Sequence, residues 1–265
     1  MTSDSGSKIN QLMKAWPQGA VAVSPWLEKQ GAYQQLVREY EKTSWVRRIG
    51  QGAFVRAGDK FEWHGGLFAI QDQLGLPIHA GGKTALQLLG YAHFLPLGKG
   101  YILSLFGEPG VKLPRWFLKY PWDVKPRYTT TKLFPRKSDL GLTKKEMGNY
   151  SITLSSPERA IMEVLHLVPH KESYEEAQLL MEAMTTLRPQ LVQKLLETCR
   201  SVKVKRLFMI LAEGCNHRWV QKLDLSKVDL GRGKRLIAKG GHFNSKYGVA
   251  LPGPRPVEYK PGEGP

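Results

Sequence analysis

Apolar residues recur at helical spacing through KINQLMKAW, where Ile9, Leu12, Met13 and Trp16 share one face. Ser24 before Pro25 marks a helix start, serine as cap and proline in the first turn, and this short helix runs to Lys29 or Gln30. After a turn at Gly31, a second helix from Ala32 to about Lys42 turns Leu36, Tyr33 and Tyr40 inward. It leaves Gln34, Gln35, Arg38 and Lys42 outward. The β-prone runs WVRRI and AFVRA, joined by GQG, predict a hairpin. Helix, short helix, glycine turn, helix and hairpin is the order of a winged helix-turn-helix. A further helix over 61–76, with Leu67, Phe68 and Ile70 inward, closes this first domain, and 77–82 reads as the crossing to a second.

Beyond the crossing, the pattern gives a helix over Thr84–Tyr91 and a strand at YILSLFG. The segment that follows is basic, proline-broken and rich in aromatics. Ser155, Ser156, Pro157 and Glu158 announce another helix, continued by RAIMEVLHLV. Helices at YEEAQLLMEAM, PQLVQKLLETC and VKVKRLFMILAEG follow, with Leu179, Leu180, Met184, Leu191, Leu195 and Leu196 in the core. The close, KRLIAKGGHFNSKYGVALP, reads as a hairpin around Gly240 and Gly241. The expected fold class is therefore α+β and mainly helical. A winged helix-turn-helix occupies 1–78, an α+β domain occupies 79–251, and 252–265 is a disordered tail rich in proline and glycine.

Charge changes the picture. The 265 residues carry a net charge of +16, which favours a polyanionic partner. Residues 1–80 hold nine Lys/Arg against seven Asp/Glu, whereas 111–145 hold ten against two and 201–246 hold eleven against three. Two basic stretches thus flank the slightly acidic block 151–200. In the winged-helix reading, Gln34 and Gln35 pair with adenine edges and Arg38 with guanine. Lys42 lies beside them, and Arg47, Arg48 and Arg56 on the wing reach phosphate or the minor groove. Docking to a protein is the alternative use of the same face.

Other chemistry is weakly signalled. PIHAGGKTALQLLG holds the Gly-Lys-Thr of a phosphate-binding loop at Gly82–Thr84, but Pro77 stands where the early glycine belongs. Glu108 with Asp123 and Lys125 loosely echoes a metal-dependent nuclease, although Pro121 and Pro126 bracket the pair. Trp116, Phe117, Tyr120, Trp122 and Tyr128 can stack on bases or cover a sheet. His166 and His170 stand four apart across Pro169, better suited to a helix-end polar contact than to a metal. Cys199 and Cys215 read as buried free thiols. We expect no catalytic residue, metal or cofactor. With neither an apolar run near 18 residues nor a signal-peptide layout, the expectation is a soluble, intracellular protein.

Five stretches together resemble the AbiEi-type antitoxins of type IV toxin–antitoxin systems, over about residues 8–251. They are GQGAFVRAG, PIHAGGKTALQLLGYAHFLPLG, LSSPERAIMEVLHLVP, TTLRPQLVQKLLETCRSVKVKRLFMILAE and LDLSKVDLGRGKRLIAKGG. The resemblance implies a bacterial, cytoplasmic transcriptional repressor. Its N-terminal winged helix binds inverted repeats in its own promoter. Its C-terminal antitoxin domain counteracts a nucleotidyltransferase toxin without needing a stable complex. The charge map adds the expectation that Lys203, Lys205, Arg206, Arg232, Lys234 and Arg235 form a second surface for nucleic acid or a partner. A dimer on DNA follows from the symmetry of inverted repeats. The competing expectation is a winged-helix regulator without toxin neutralisation.

Overall fold

A computed structural model of the chain describes residues 8–91, 100–237 and 241–252. The proline-rich end and Gly240 of the expected terminal hairpin lie outside the described residues.

The N-terminal part runs α1 (Lys8–Ala15), β1 (Ala22–Val23), α2 (Ser24–Lys29), α3 (Gln34–Lys42), β2 (Val46–Gly50) and β3 (Ala53–Arg56). The strands form one antiparallel sheet in the order β1-β3-β2. This is the element order expected of a winged helix-turn-helix. Gly31 joins α2 to α3 at φ +80°, a left-handed conformation glycine adopts without a Cβ penalty. α3 begins two residues later than expected, and this changes its inward face. Val37 is the buried residue and Leu36 and Tyr40 are half-buried, while Tyr33, extended at the cap, is 67% exposed.

The expected long helix over 61–76 is shorter and ends differently. α4 (Trp63–Phe68) passes into a wider turn over Ala69–Gln73, with Leu67 and Ile70 fully buried. The Gln73 side chain then bridges the main chain of Val21 and Val23, fastening this turn to β1. The expected crossing at 77–82 is instead structural. Ile78–Ala80 is β4, the middle strand of a five-stranded sheet.

That sheet has the order β6-β5-β4-β8-β7, from β5 (Ile102–Gly107), β6 (Lys125–Thr130), β7 (Leu142–Glu146) and β8 (Ser151–Ser155). β4 pairs antiparallel with β5 and parallel with β8, through a single register pair, Ala80 with Leu154. The remaining ladder is completed by a side chain. Gln71 Oε1 accepts from the Thr153 N–H at 2.8 Å, and its Nε2 donates to the Ile78 and Thr153 carbonyls at 2.8 and 2.9 Å.

α5 (Gly82–Leu88), α7 (Pro157–Leu167), α8 (Tyr174–Glu182), α9 (Pro189–Thr198) and α10 (Val202–Gly214) are the remaining long helices. Leu180, Met184, Leu195 and Leu196 are buried as expected; Leu191 is half-buried and Leu179 is 49% exposed. β9 (Arg235–Leu236) and β10 (Phe243–Asn244) do not pair with each other. β11 (Val249–Ala250) lies between them, parallel to β9 and antiparallel to β10.

One hydrophobic core runs through both halves. Short α6 (Arg115–Lys119) brings Trp116 against the wing, so that a Cβ on Gly50 would lie 2.7 Å from the Trp116 Cβ. The aromatics of this basic segment pack on one another and on Phe61, with ring centroids 4.5 Å apart for Tyr120–Trp122 and 5.3 Å for Phe61–Tyr120. They cover the fold. His64 Nδ1 and the Tyr150 hydroxyl, 2.7 Å apart, tie α4 to β8, and burial raises the Tyr150 phenol to about 12.

Candidate nucleic-acid interface

Gln34, Gln35, Arg38 and Lys42 all stand exposed on α3, because Ala32 and Val37 take the inward positions. Two glutamates share this surface. Glu39 lies 2.9 Å from the Lys42 ammonium, so the outer face is not purely amide and cationic. Arg48 on β2 is held by Glu41 through two hydrogen bonds of 2.9 and 2.7 Å and lies over the Phe54 ring at 4.8 Å. That contact pulls the Glu41 carboxyl below its ordinary range. Arg47, on the same strand, is exposed, its guanidinium 5.4 Å from the Phe61 centroid.

Arg56 differs from its neighbours. Its Nη1 donates to the Trp16 and Met13 carbonyls at the end of α1, so it serves the fold rather than an outer partner. Arg38 and Arg47 are thus the two cations here with no ion pair among the described residues. Two exposed aromatics flank α3: Tyr33, whose spacing predicts an inward position, and Trp45, which immediately precedes β2.

The second basic group also divides. Lys203 Nζ donates to the His166 and Val168 carbonyls at 2.8 and 2.6 Å, and burial lowers its pKa. Lys205 is buried. The buried Arg206 donates to the carbonyls of Leu230, Gly233 and Gly231 at 2.7, 2.7 and 3.1 Å. Lys203 and Arg206 fasten α10 to its neighbours through those carbonyls, while Lys205 is simply buried with the helix. Arg232, Lys234 and Arg235 remain exposed, with Lys234 5.5 Å from the Phe243 ring centroid. The expected surface of six reduces to these three.

The Gly-Lys-Thr turn is filled from within. The Gly82 N–H donates to Glu163 at 3.0 Å, and Lys83 pairs with Glu172 and Glu176 at 2.5 and 3.2 Å. Thr84 Oγ1 accepts from the Ser104 N–H at 2.8 Å. The protein's own carboxylates thus occupy the donors that a phosphate would need.

Glu163 is the hub of a buried network that the apolar pattern of α7 concealed. It also accepts from His79 Nε2 at 2.9 Å, Ser155 Oγ at 2.8 Å and Arg159 Nε at 3.1 Å. Burial raises a carboxyl's pKa, but His79 and then Arg159 outweigh it and hold Glu163 below its ordinary value. The signal was present as two opposite charges at i and i+4 on the inward face of PERAIMEVLHL.

The nuclease echo does not assemble. β5 and β6 run parallel with Ile102 opposite Lys125 and Gly107 opposite Thr130, so Glu108 lies at the far end of the pair from Asp123 and Lys125. Six residue steps along the strand, about 20 Å, separate Glu108 from Lys125. His166 Nε2 meets Thr131 Oγ1 at 3.2 Å, the helix-end contact expected. Cys199 is buried, which raises its thiol to about 11, and Cys215 is partly buried.

Comparison with known families gives two adjacent matches. A family model described as transcriptional regulator, AbiEi antitoxin N-terminal domain, matches residues 5–97. A second, described as transcriptional regulator, AbiEi antitoxin, Type IV TA system, matches residues 102–252. Comparison with curated proteins gave no match. Among solved structures, the chain is similar to the crystal structure of RV2827C protein from Mycobacterium tuberculosis, at a TM-score of 0.58 and 13% identity, over 93% of this chain and 92% of that one. At that identity the likeness speaks to the fold alone. None of the described helices is long and apolar enough to cross a membrane.

Proposed function

The chain belongs to the AbiEi antitoxin family of transcriptional regulators of type IV toxin–antitoxin systems, and from that premise we propose that it is a cytoplasmic autorepressor that also counteracts a nucleotidyltransferase toxin. Residues 1–78 bind inverted repeats in the promoter as a dimer, and residues 79–251 carry the antitoxin function. The observation that carries the reading is the outer face of α3, where Gln34, Gln35 and Arg38 stand exposed in sequence order beside the wing cation Arg47. Amide and guanidinium groups are those that read adenine and guanine edges in the major groove. Lys42 and Arg48 contribute to phosphate once Glu39 and Glu41 exchange partners. Arg232, Lys234 and Arg235 supply a second, sequence-independent contact to nucleic acid.

A reporter driven by the chain's own upstream DNA tests repression, and growth during co-expression of the neighbouring toxin tests neutralisation. Gln35→Ala with Arg38→Ala is expected to abolish repression while leaving growth rescue intact. Loss of both together would contradict the division of labour. Rescue with repression unchanged would contradict the role of α3.

A further inference from the structure

The junction between the two halves holds a cleft of about 250 Å³ with a mixed polar lining. Residues of β4, Leu142 of β7, Thr153 of β8 and the segment over residues 134–139 line it. Its volume is sufficient for a free amino acid.

Two chemistries meet in that lining. Arg159 lines the cleft although only 8% of it is exposed. Its Nε is bound to Glu163 and its Nη1 to the Ser138 and Leu140 carbonyls, while Nη2 makes no hydrogen bond among the described residues. Glu163 and Phe134 fix this guanidinium, Phe134 at 4.8 Å from ring centroid to guanidinium carbon, so its remaining donors are preorganised for a carboxylate. Lys137 lines the same cleft. On the acidic side are Glu108 and Asp139. Glu108 Oε1 accepts from the Lys137 main-chain N–H at 2.5 Å, which fixes that carboxylate beside the opening. In the lining, Glu108 and Asp139 balance Arg159 and Lys137, so a ligand carrying both signs is matched.

We propose that this cleft binds a free amino acid, its carboxylate on Arg159 and its ammonium on Glu108 and Asp139. Leu76, Ile78 and Phe134 supply apolar wall for an uncharged side chain. Because Leu76–His79 is also the connection from α4 into the central strand, occupancy stiffens the link between the two halves.

Calorimetry of the full chain against each of the twenty free L-amino acids tests this, with hydrogen exchange of residues 71–80 as a second readout. At least one uncharged amino acid is expected to bind, and to slow exchange there. Its N-acetyl and its carboxamide forms should each bind at least tenfold more weakly, since each lacks one charge. Asp139→Asn, at an exposed position, should weaken binding about tenfold without lowering the melting temperature, and Ser138→Trp should abolish it by filling the cleft. No binding by any amino acid would overturn the proposal. So would equal binding of the N-acetyl form, which would mark non-specific anion capture by a cationic protein.

Discussion

Removing the Glu163 carboxylate should be among the most damaging single changes in the C-terminal half. In Glu163→Leu, the His79 Nε2, Gly82 N, Ser155 Oγ and Arg159 Nε donors all lose their acceptor in an interior where Glu163 itself is 1% exposed. Breaking a buried ion pair by deleting one partner costs about 3–5 kcal/mol, because the other charge is left uncompensated. For a chain of this size, where 1 kcal/mol shifts melting by about 2–4 °C, the expected fall is on the order of 10 °C. Urea titration of Glu163→Leu, Arg159→Met and the double variant measures it. The double variant should be less destabilised than Glu163→Leu alone, since it removes the orphaned guanidinium together with its partner. A cost below about 1 kcal/mol for Glu163→Leu, or strict additivity in the cycle, would refute the view that the network holds β4, β8 and α7 together.

Acid should act through the same group. Glu163 and Glu158, the latter bound by Arg188, both have carboxyls held below the ordinary 4.5, so the stability they lend is complete above that pH and is lost as pH falls through their folded values. Burial lowers the pKa of the His64 and His166 imidazoles, so urea midpoints should already decline as pH falls from 7 to about 5. The further fall below about pH 5 should be less steep in Glu163→Gln, and an equally steep fall in that variant would remove Glu163 from the explanation. Arg206→Ala should cost about 3 kcal/mol by orphaning three carbonyls, while Arg235→Ala should leave urea midpoints within about 0.5 kcal/mol. Replacing Arg232, Lys234 and Arg235 together with alanine should reduce the slope of log K against log salt by up to about 2.7 units on DNA. An unchanged slope would show that these residues touch no phosphate. Gly50→Ala should destabilise the wing, since its Cβ meets Trp116; unfolding curves identical to the parent would contradict the packing of α6 on β2.

The sequence foretold the N-terminal half well because its elements are punctuated locally, by Pro25 at a helix start, Gly31 at a turn and Gly52 in the hairpin. It misplaced α3 by two residues, and with that shift Tyr33 moved from the core to the surface. β4 was illegible because three residues offer no periodicity, and it becomes a strand only when β5 and β8 arrive from elsewhere in the chain. The charge map located the basic stretches but not their use. Lys203, Lys205 and Arg206 resemble Arg232, Lys234 and Arg235 in sequence, and only the packing of α10 separates buried or carbonyl-bound cations from exposed ones. The cleft had no local signature, since its walls come from four strands, α7, the turn after α4 and the loops between them.

Fluorescence anisotropy of the full chain on its own upstream DNA against a scrambled duplex, across salt, with Gln35→Ala/Arg38→Ala alongside, addresses repression most directly. Sequence-specific repression predicts a preference for the native duplex of about 10³ or more at physiological salt, lost in the variant. Equal and steeply salt-dependent binding to both duplexes, unchanged in the variant, would contradict it and leave only a polyanion-binding surface.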